Sequence, residues 1–199
     1  MRPVRVAYPG AIYHVTARGN GRATVFEDDR DRRKFLGILE RTAESRELHV
    51  HAYCLMGNHY HLLVETPRGN LSDAMRHLNG LYGQWFSKVH DRPGHVWGGR
   101  FKARLVEENR YLLAASRYIV RNPVEAGLVR APQEWSWSSY RATVGNAPRP
   151  RYLNPERTLE LLDPAGGASA IRAYMRLVET PDADQEVEWI WPDPDLTPA

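Results

Sequence analysis

The sequence predicts an α+β protein with a ferredoxin-like, split β-α-β fold: an antiparallel four-stranded sheet with helices on one face. Two observations predict it. Segments with the two-residue alternation of strands and segments with helical spacing follow one another in the order β-α-β-β-α-β-α. Turns rich in glycine, asparagine and proline separate these segments. The last element adds a third helix to the fold, and two short helical patterns follow it as a C-terminal tail.

Each element has its own signal. Alternating apolar and β-branched residues predict strands at residues 11–18, 49–56, 60–66 and 100–106. Apolar residues three and four apart predict helices at residues 28–46, 71–89 and 109–121, with shorter ones at 155–162 and 168–179. Asp28 or Asp29 is a candidate N-cap of the first helix, and Asn70 or Ser72 of the second. Gly57-Asn58 predicts a tight hairpin turn between the second and third strands.

Composition indicates a globular protein outside the membrane. The chain has 199 residues, of which 42% are apolar and 26% charged. It contains no apolar run long enough for a transmembrane helix, and its first residues lack the apolar core of a secretory signal. Cys54 is the only cysteine, which fits a reducing cytosol. We therefore expect a cytoplasmic, nucleoid-associated protein with no membrane partner.

Charge divides the chain into two parts. Residues 1–150 carry 23 Lys and Arg against 14 Asp and Glu, whereas residues 151–199 carry 4 against 10. The basic body could bind a polyanion such as nucleic acid, and the acidic end would not. Only three of the basic residues are Lys, and the others are Arg. This excess of Arg suits bidentate contacts to phosphate, or it simply reflects codon bias. We place a domain boundary near Pro148, giving a catalytic domain at 1–147 and an acidic, partly helical appendage at 148–199.

Two histidines on one strand are the first candidate site. His59 and His61 are two residues apart, so on a strand their side chains project from the same face. Two imidazoles held side by side are a candidate metal-binding edge. The alternative is a pair of ordinary histidines with no ligand.

A tyrosine and an asparagine on the third helix are the second candidate site. Tyr118 and Asn122 are four residues apart and share a face, and Arg117 and Arg121 share the adjacent one. A tyrosine hydroxyl could attack a metal-bound phosphate, and an amide oxygen could complete the ligand set of the two histidines. Alternatively, Tyr118 is a core aromatic residue and Asn122 caps a new helix that begins at Pro123.

Candidate contacts to nucleic acid lie on four segments. Arg100, Lys102 and Arg104 alternate along the fourth strand and would form a cationic stripe, or merely a solvated face. Arg18, Asn20 and Arg22 end the first strand and could touch phosphate or base. Trp97, in a glycine-rich loop, could stack on an unpaired base or plug the core. Arg117 and Arg121 complete the set.

Several spaced motifs resemble the single-tyrosine (Y1) HUH transposases of the IS200 type, and most closely the REP-associated tyrosine transposases. The matching stretches are residues 13–20, 25–30, 51–63, 94–101, 117–129 and 137–140. Together they cover about residues 3–145, and the tail beyond residue 150 matches no pattern of the family. Gly57 stands where proline is common, and Glu125 replaces the usual arginine.

The resemblance implies a function. It makes His59 and His61 the metal ligands, Tyr118 the nucleophile and Asn122 the third ligand. It implies cleavage of single-stranded DNA near hairpins through a 5′-phosphotyrosine link, with Mg²⁺ or Mn²⁺ as cofactor. The partner would be single-stranded or hairpin DNA, and the protein a monomer or homodimer. The alternatives are a replication initiator or relaxase built on the same site, and a domesticated protein that binds hairpins without cutting.

Overall fold

A computed structural model describes residues 7–180 and contains one four-stranded antiparallel sheet. Its strands are β1 (Ala11–Arg18), β2 (His49–Leu55), β3 (His59–Thr66) and β4 (Lys102–Val106). They lie in the order β2-β3-β1-β4, so β1 and β3 are central. The predicted strands are confirmed with ends shifted by at most two residues. The largest shift is at β4, since Arg100 precedes the strand and lies in the loop before it.

Two long helices cover one face of the sheet, as predicted. They are α1 (Asp29–Arg46) and α2 (Leu71–Val89), which pack on each other. Asp28 caps α1, because its carboxylate accepts a hydrogen bond from the backbone N–H of Asp31. Alternate residues of β1 and β3, such as Val15 and Tyr60, point into the core beneath these helices. The intervening residues point to the opposite face.

A third helix, α3 (Asn109–Glu125), covers that opposite face. The sequence predicted its end at Arg121, and the alternative that Asn122 caps a new helix at Pro123 is wrong. The helix continues through Pro123 into its last turn, and the backbone N–H of Ala126 still bonds to the carbonyl of Asn122. Asn122 and Pro123 are both buried. We attribute the continuation of α3 to the packing of this turn, which outweighs the tendency of a residue before proline to leave helical geometry.

The C-terminal segment packs on the sheet and on α3. Three helices follow α3: α4 (Tyr140–Thr143), α5 (Glu156–Leu162) and α6 (Gly167–Glu179). The last two match the predicted short helices to within one residue. Leu153 joins the main core, and Tyr174 of α6 stacks near Tyr140. Residues 150–179 thus extend the packing of the sheet and α3, whereas the acidic end of the predicted appendage lies outside the described residues.

None of the helices within residues 7–180 combines the length and the apolar character needed to cross a bilayer.

Candidate metal centre and nucleic-acid interface

Three imidazoles lie together on the face of the sheet that α3 covers. His59 and His61 come from β3, and their ring centroids are 5.0 Å apart. His14 comes from the neighbouring β1, and its ring centroid is 5.1 Å from that of His61. All three are buried, with His61 fully inaccessible. Strand alternation therefore brings the two predicted histidines together.

Hydrogen bonds orient the rings. Nδ1 of His59 lies 2.6 Å from Oδ1 of Asn58, an acceptor only, so Nδ1 carries the proton. Nδ1 of His61 lies 2.8 Å from Nε2 of His14, and donation to His14 would give His61 the same tautomer. A metal-binding histidine is ordinarily held by its other nitrogen in this way.

The remaining nitrogens meet the first requirement of a metal site. Within residues 7–180, Nε2 of His59 and Nε2 of His61 are both buried without a hydrogen-bond partner. Buried polar atoms are rarely left unpaired, so two of them side by side call for an explanation. Two adjacent imidazole lone pairs fit a divalent cation.

Burial keeps these imidazoles neutral. It lowers the pKa of His14 to about 3, and the charge of Arg104 adds to this effect. Burial and the charge of Arg18 lower the pKa of His59 to about 4, and burial holds the pKa of His61 well below its ordinary value. Metal binding requires the neutral form, so the histidines need release no proton at pH 7.

The buried imidazoles predict acid sensitivity of the fold. Their folded pKa values lie below the unfolded value, so the unfolded chain takes up protons first. Their contribution to the free energy of unfolding is complete above about pH 6.5 and is lost as pH falls through about 4, the pKa of His59, to about 3, the pKa of His14. Urea unfolding at several pH values measures this loss, and His14→Gln should make it shallower. Identical pH profiles for the two proteins would contradict the prediction.

Two side chains of α3 face the imidazoles. The ring of half-buried Tyr118 meets that of His61 edge-on, with centroids 5.6 Å apart. One turn later, the side chain of Asn122 is buried, and its hydrogen bonding opposes in part the lowering of the pKa of His59 and His61. The structure thus gathers all four residues predicted for catalysis and metal binding.

Any metal here would use a sparse ligand set. In the described part of the chain, no three or more His, Cys, Asp or Glu side chains are grouped so that they could hold a metal. The candidate ligands are two imidazoles and the amide oxygen of Asn122. The remaining positions would be open to water or to phosphate oxygens, as in metal sites that act on substrates.

The structure does not place Arg117 and Arg121 on an open surface. Arg117 is buried and donates hydrogen bonds to the carbonyls of Leu177 and Thr180. Arg121 donates to the carbonyl of Val178 and forms an ion pair with Glu125. Both guanidinium groups therefore tie α3 to the C-terminal end of α6. Their predicted role in DNA binding would require these contacts to open.

Basic side chains lie beside the imidazoles on the same sheet face. Thr16 of β1 is paired with His61 on one side and with Lys102 of β4 on the other. His14 and Arg104 form the next pair of β1 and β4 on this face. Lys102 and Arg104 thus follow one another along β4, and we call these two residues the basic row. Since neighbouring strands are about 4.8 Å apart, Lys102 lies roughly 10 Å from His61 along the sheet. Lys102 and Arg104 are exposed on β4, whereas Arg100, the third residue of the predicted stripe, lies in the loop before the strand.

The other predicted contact residues line one small cavity. The cavity has a volume of ≈ 290 Å³, and its lining includes Arg18, Asn20, Arg22, Arg100 and Lys102. It forms because the loop before β4 pairs with the end of β1: Gly98 N–H donates to the carbonyl of Arg18. Two of the predicted segments, the end of β1 with the residues after it and the start of β4 with the loop before it, thus form one basic site, which we call the basic cavity.

Trp97 belongs largely to the core. Its indole N–H donates to the carbonyl of Asn79, and its ring packs against Tyr60 and Tyr82. The structure therefore favours the alternative in which Trp97 plugs the core, although part of the ring remains accessible.

His14 is the site residue that sequence reasoning missed. The signal that identifies it is strand order: a ferredoxin-like sheet places β1 beside β3, and His14 then shares a face with Thr16, the partner of His61.

Comparison with known proteins identifies the family. The family model described as transposase, IS200-like, matches residues 7–122, which is more than half of the chain. The chain therefore belongs to the IS200-like transposase family, and the resemblance inferred from its motifs is confirmed.

The chain is also similar to individual proteins. Over 122 residues the chain is 26% identical to a Haemophilus influenzae protein assigned as a REP-associated tyrosine transposase, covering 56% of this chain and 69% of that protein. A solved REP-associated tyrosine transposase bound to a REP hairpin has the same fold, with a TM-score of 0.62 and 18% identity over 78% of this chain and 93% of that one. A solved transposase from Deinococcus radiodurans is 21% identical, with a TM-score of 0.43 over 56% of this chain and 91% of that one.

Proposed function

We propose that this protein is a metal-dependent nickase and strand transferase for single-stranded DNA, with Tyr118 as its nucleophile. The observation that carries the proposal is the position of Tyr118, edge-on to His61, which is one of two neighbouring buried imidazoles whose Nε2 atoms lack hydrogen-bond partners within the described residues. A phenol beside a candidate metal site matches the needs of covalent phosphoryl transfer. Membership of a transposase family supports DNA as the substrate.

The metal would be Mg²⁺ or Mn²⁺, held by Nε2 of His59, Nε2 of His61 and the amide oxygen of Asn122. When bound, the ion would polarise the scissile phosphate and offset the negative charge that develops during the reaction. Asn58 and His14 hold the two rings through their Nδ1 atoms. The chain thus fixes the ligands before the metal arrives, which lowers the cost of binding it.

Tyr118 would act by exchange of one phosphoester bond for another. Its hydroxyl oxygen forms a bond to the phosphorus and loses its proton to solvent, while the bond from phosphorus to the 3′ oxygen breaks. The leaving 3′ oxygen takes up a proton and becomes a free 3′-OH. The strand stays attached to the protein through a 5′-phosphotyrosine, and attack by another 3′-OH reverses the step and joins strands.

The substrate we propose is single-stranded DNA beside a hairpin. The basic cavity and the row formed by Lys102 and Arg104 offer phosphate contacts next to the imidazoles. A solved relative of the same fold is bound to a REP hairpin. Tyr118 lies against His61 of its own chain, so a single chain brings together the nucleophile and the metal ligands that we propose.

End-labelled oligonucleotides test the proposal. Single-stranded hairpins from the DNA flanking the gene would carry different dyes at their 5′ and 3′ ends and be incubated with Mg²⁺ or Mn²⁺. We expect a denaturation-resistant adduct that carries the 3′-end dye, a released fragment with the 5′-end dye, and loss of both with EDTA. Tight binding without any adduct would instead favour the non-cleaving hairpin binder.

The basic row predicts a change in salt dependence. Each lost phosphate contact on a single strand lowers the slope of log affinity against log salt by about 0.7, so K102A together with R104A should lower it by about 1.4. Arg33 and Arg41 are exposed on α1, which packs on the opposite face, and R33A with R41A is the matched control. Fluorescence anisotropy at several salt concentrations measures both slopes. Equal changes in the two double variants would contradict a specific role for the row.

A further inference from the structure

A second and larger cavity adjoins the basic cavity and has no role in the function proposed above. Its volume is ≈ 820 Å³, within the range of about 300–1,000 Å³ typical of ligand sites. It lies between α2 and the loop before β4, and we call it the α2 cleft. The two cavities share Asn20, Gly98, Gly99 and Arg100, so they form one continuous depression.

Polar, uncharged side chains lie among the mainly apolar atoms that line the α2 cleft. The side chains of Asn20, Gln84 and Ser87 line it, and none of them makes a hydrogen bond to another residue in the described range. A carboxamide carries a donor pair and an acceptor on one plane, which matches the edge of a nucleobase. Arg100 supplies positive charge at the border with the basic cavity, so phosphates are favoured on that side.

The floor of the α2 cleft is bare helix. Gly80 and Gly83 are three residues apart on α2, and both line the cleft. A side chain at Gly80 would meet no atom within 4 Å, and at Gly83 it would meet only Trp97 and Val96 at 3.6 Å or more. Glycine inside a helix costs about 1 kcal/mol relative to alanine. Two such residues facing one cleft leave room for a flat ring to approach the helix.

We propose that the α2 cleft binds an unpaired nucleobase of the single-stranded DNA whose phosphates cross the basic cavity. The proposal rests on the proposed function for the identity of the ligand. The carboxamides of Asn20 and Gln84 would contact the edge of the base, and the glycine floor with the accessible part of Trp97 would contact its face. The cleft would thus discriminate among bases beside the hairpin.

A variant that fills the cleft without disturbing the fold tests this assignment. Gly80→Leu places a side chain into open space, and Gly37→Leu on α1 makes the same change at another exposed helical glycine with no atom within 4 Å. Both should unfold at or above the wild-type temperature, since each removes a helical glycine. Binding is measured by anisotropy on a hairpin with single-stranded flanks and on the same hairpin with abasic flanks.

We expect Gly80→Leu to bind the intact flanks roughly tenfold more weakly than wild type and the abasic flanks equally well. Gly37→Leu should match wild type on both. Gln84→Ala, which adds no bulk, should also weaken only the intact probe. If Gly80→Leu and Gln84→Ala bind both probes like wild type, or lose affinity equally for both, the proposal is overturned.

Covalent capture separates this proposal from the function on which it rests. At saturating DNA, Gly80→Leu should still form the Tyr118 adduct, because the cleft lies outside the metal and nucleophile site. If no protein forms an adduct, the nickase proposal fails, yet the comparison of intact and abasic probes still decides whether the cleft binds a base.

Discussion

Tyr118→Phe is expected to abolish the covalent protein–DNA adduct while hairpin affinity stays within about twofold of wild type. Phenylalanine keeps the ring that packs edge-on against His61 and His14, so the fold and the imidazole cluster should be preserved. Only the hydroxyl, the atom that would bond to phosphorus, is lost. Removing the nucleophile of an enzyme that acts covalently costs on the order of 10⁶-fold in rate, so the adduct should fall below detection.

Tyr111 provides the matched control for this substitution. It lies two turns earlier on α3 and is partly buried against the same apolar cluster as Tyr118. Tyr111→Phe should therefore form adduct at the wild-type rate. An adduct with Tyr118→Phe, or its loss with Tyr111→Phe alone, would remove Tyr118 from the mechanism.

His61→Ala is expected to weaken Mn²⁺ binding by more than about 100-fold, since losing even an outer-shell partner of a ligand costs about 10–100-fold. Cleavage should fall with it, and added Mn²⁺ should restore it only in part. His61 is fully buried, so alanine would leave a cavity that could itself disturb the site. His61→Gln removes the imidazole with a side chain closer in size to histidine, and it separates loss of the ligand from this disturbance. Calorimetric titration with Mn²⁺ measures binding directly, without DNA.

His49 serves as the control histidine because it is exposed at the outer end of β2. His49→Ala should bind Mn²⁺ like wild type. Wild-type Mn²⁺ affinity in both His61 variants, or undiminished cleavage in EDTA, would exclude the metal role proposed for this cluster.

Local periodicity predicted the parts of the site that lie on single elements. Strand alternation is sufficient to put His59 and His61 on one face, and helical spacing is sufficient to put Tyr118 above Asn122. The order of the elements predicted the ferredoxin-like sheet, in which α1 and α2 cover one face. The opposite face of the sheet was then left for α3 to cover. These features depend on residues a few positions apart, for which the sequence pattern is a direct guide.

Contacts between distant segments were not predictable in the same way. His14 reaches His61 only through the pairing of β1 with β3, and Arg117 is buried only because α6 returns to pack against α3. The pattern of positive charge alone could not distinguish Arg117, which bonds to carbonyls, from Lys102, which is exposed. The persistence of α3 through Pro123 likewise depends on tertiary packing.

The most direct test of the account is to locate the DNA adduct in the chain by mass spectrometry. After covalent capture, nuclease digestion would leave a short nucleotide on the protein, and trypsin would cut after Arg117 and Arg121. The resulting peptide, Tyr-Ile-Val-Arg, contains a single side-chain hydroxyl, that of Tyr118. The account predicts that this peptide carries the nucleotide through a 5′-phosphate. A nucleotide on any other peptide would contradict the assignment of Tyr118 as nucleophile.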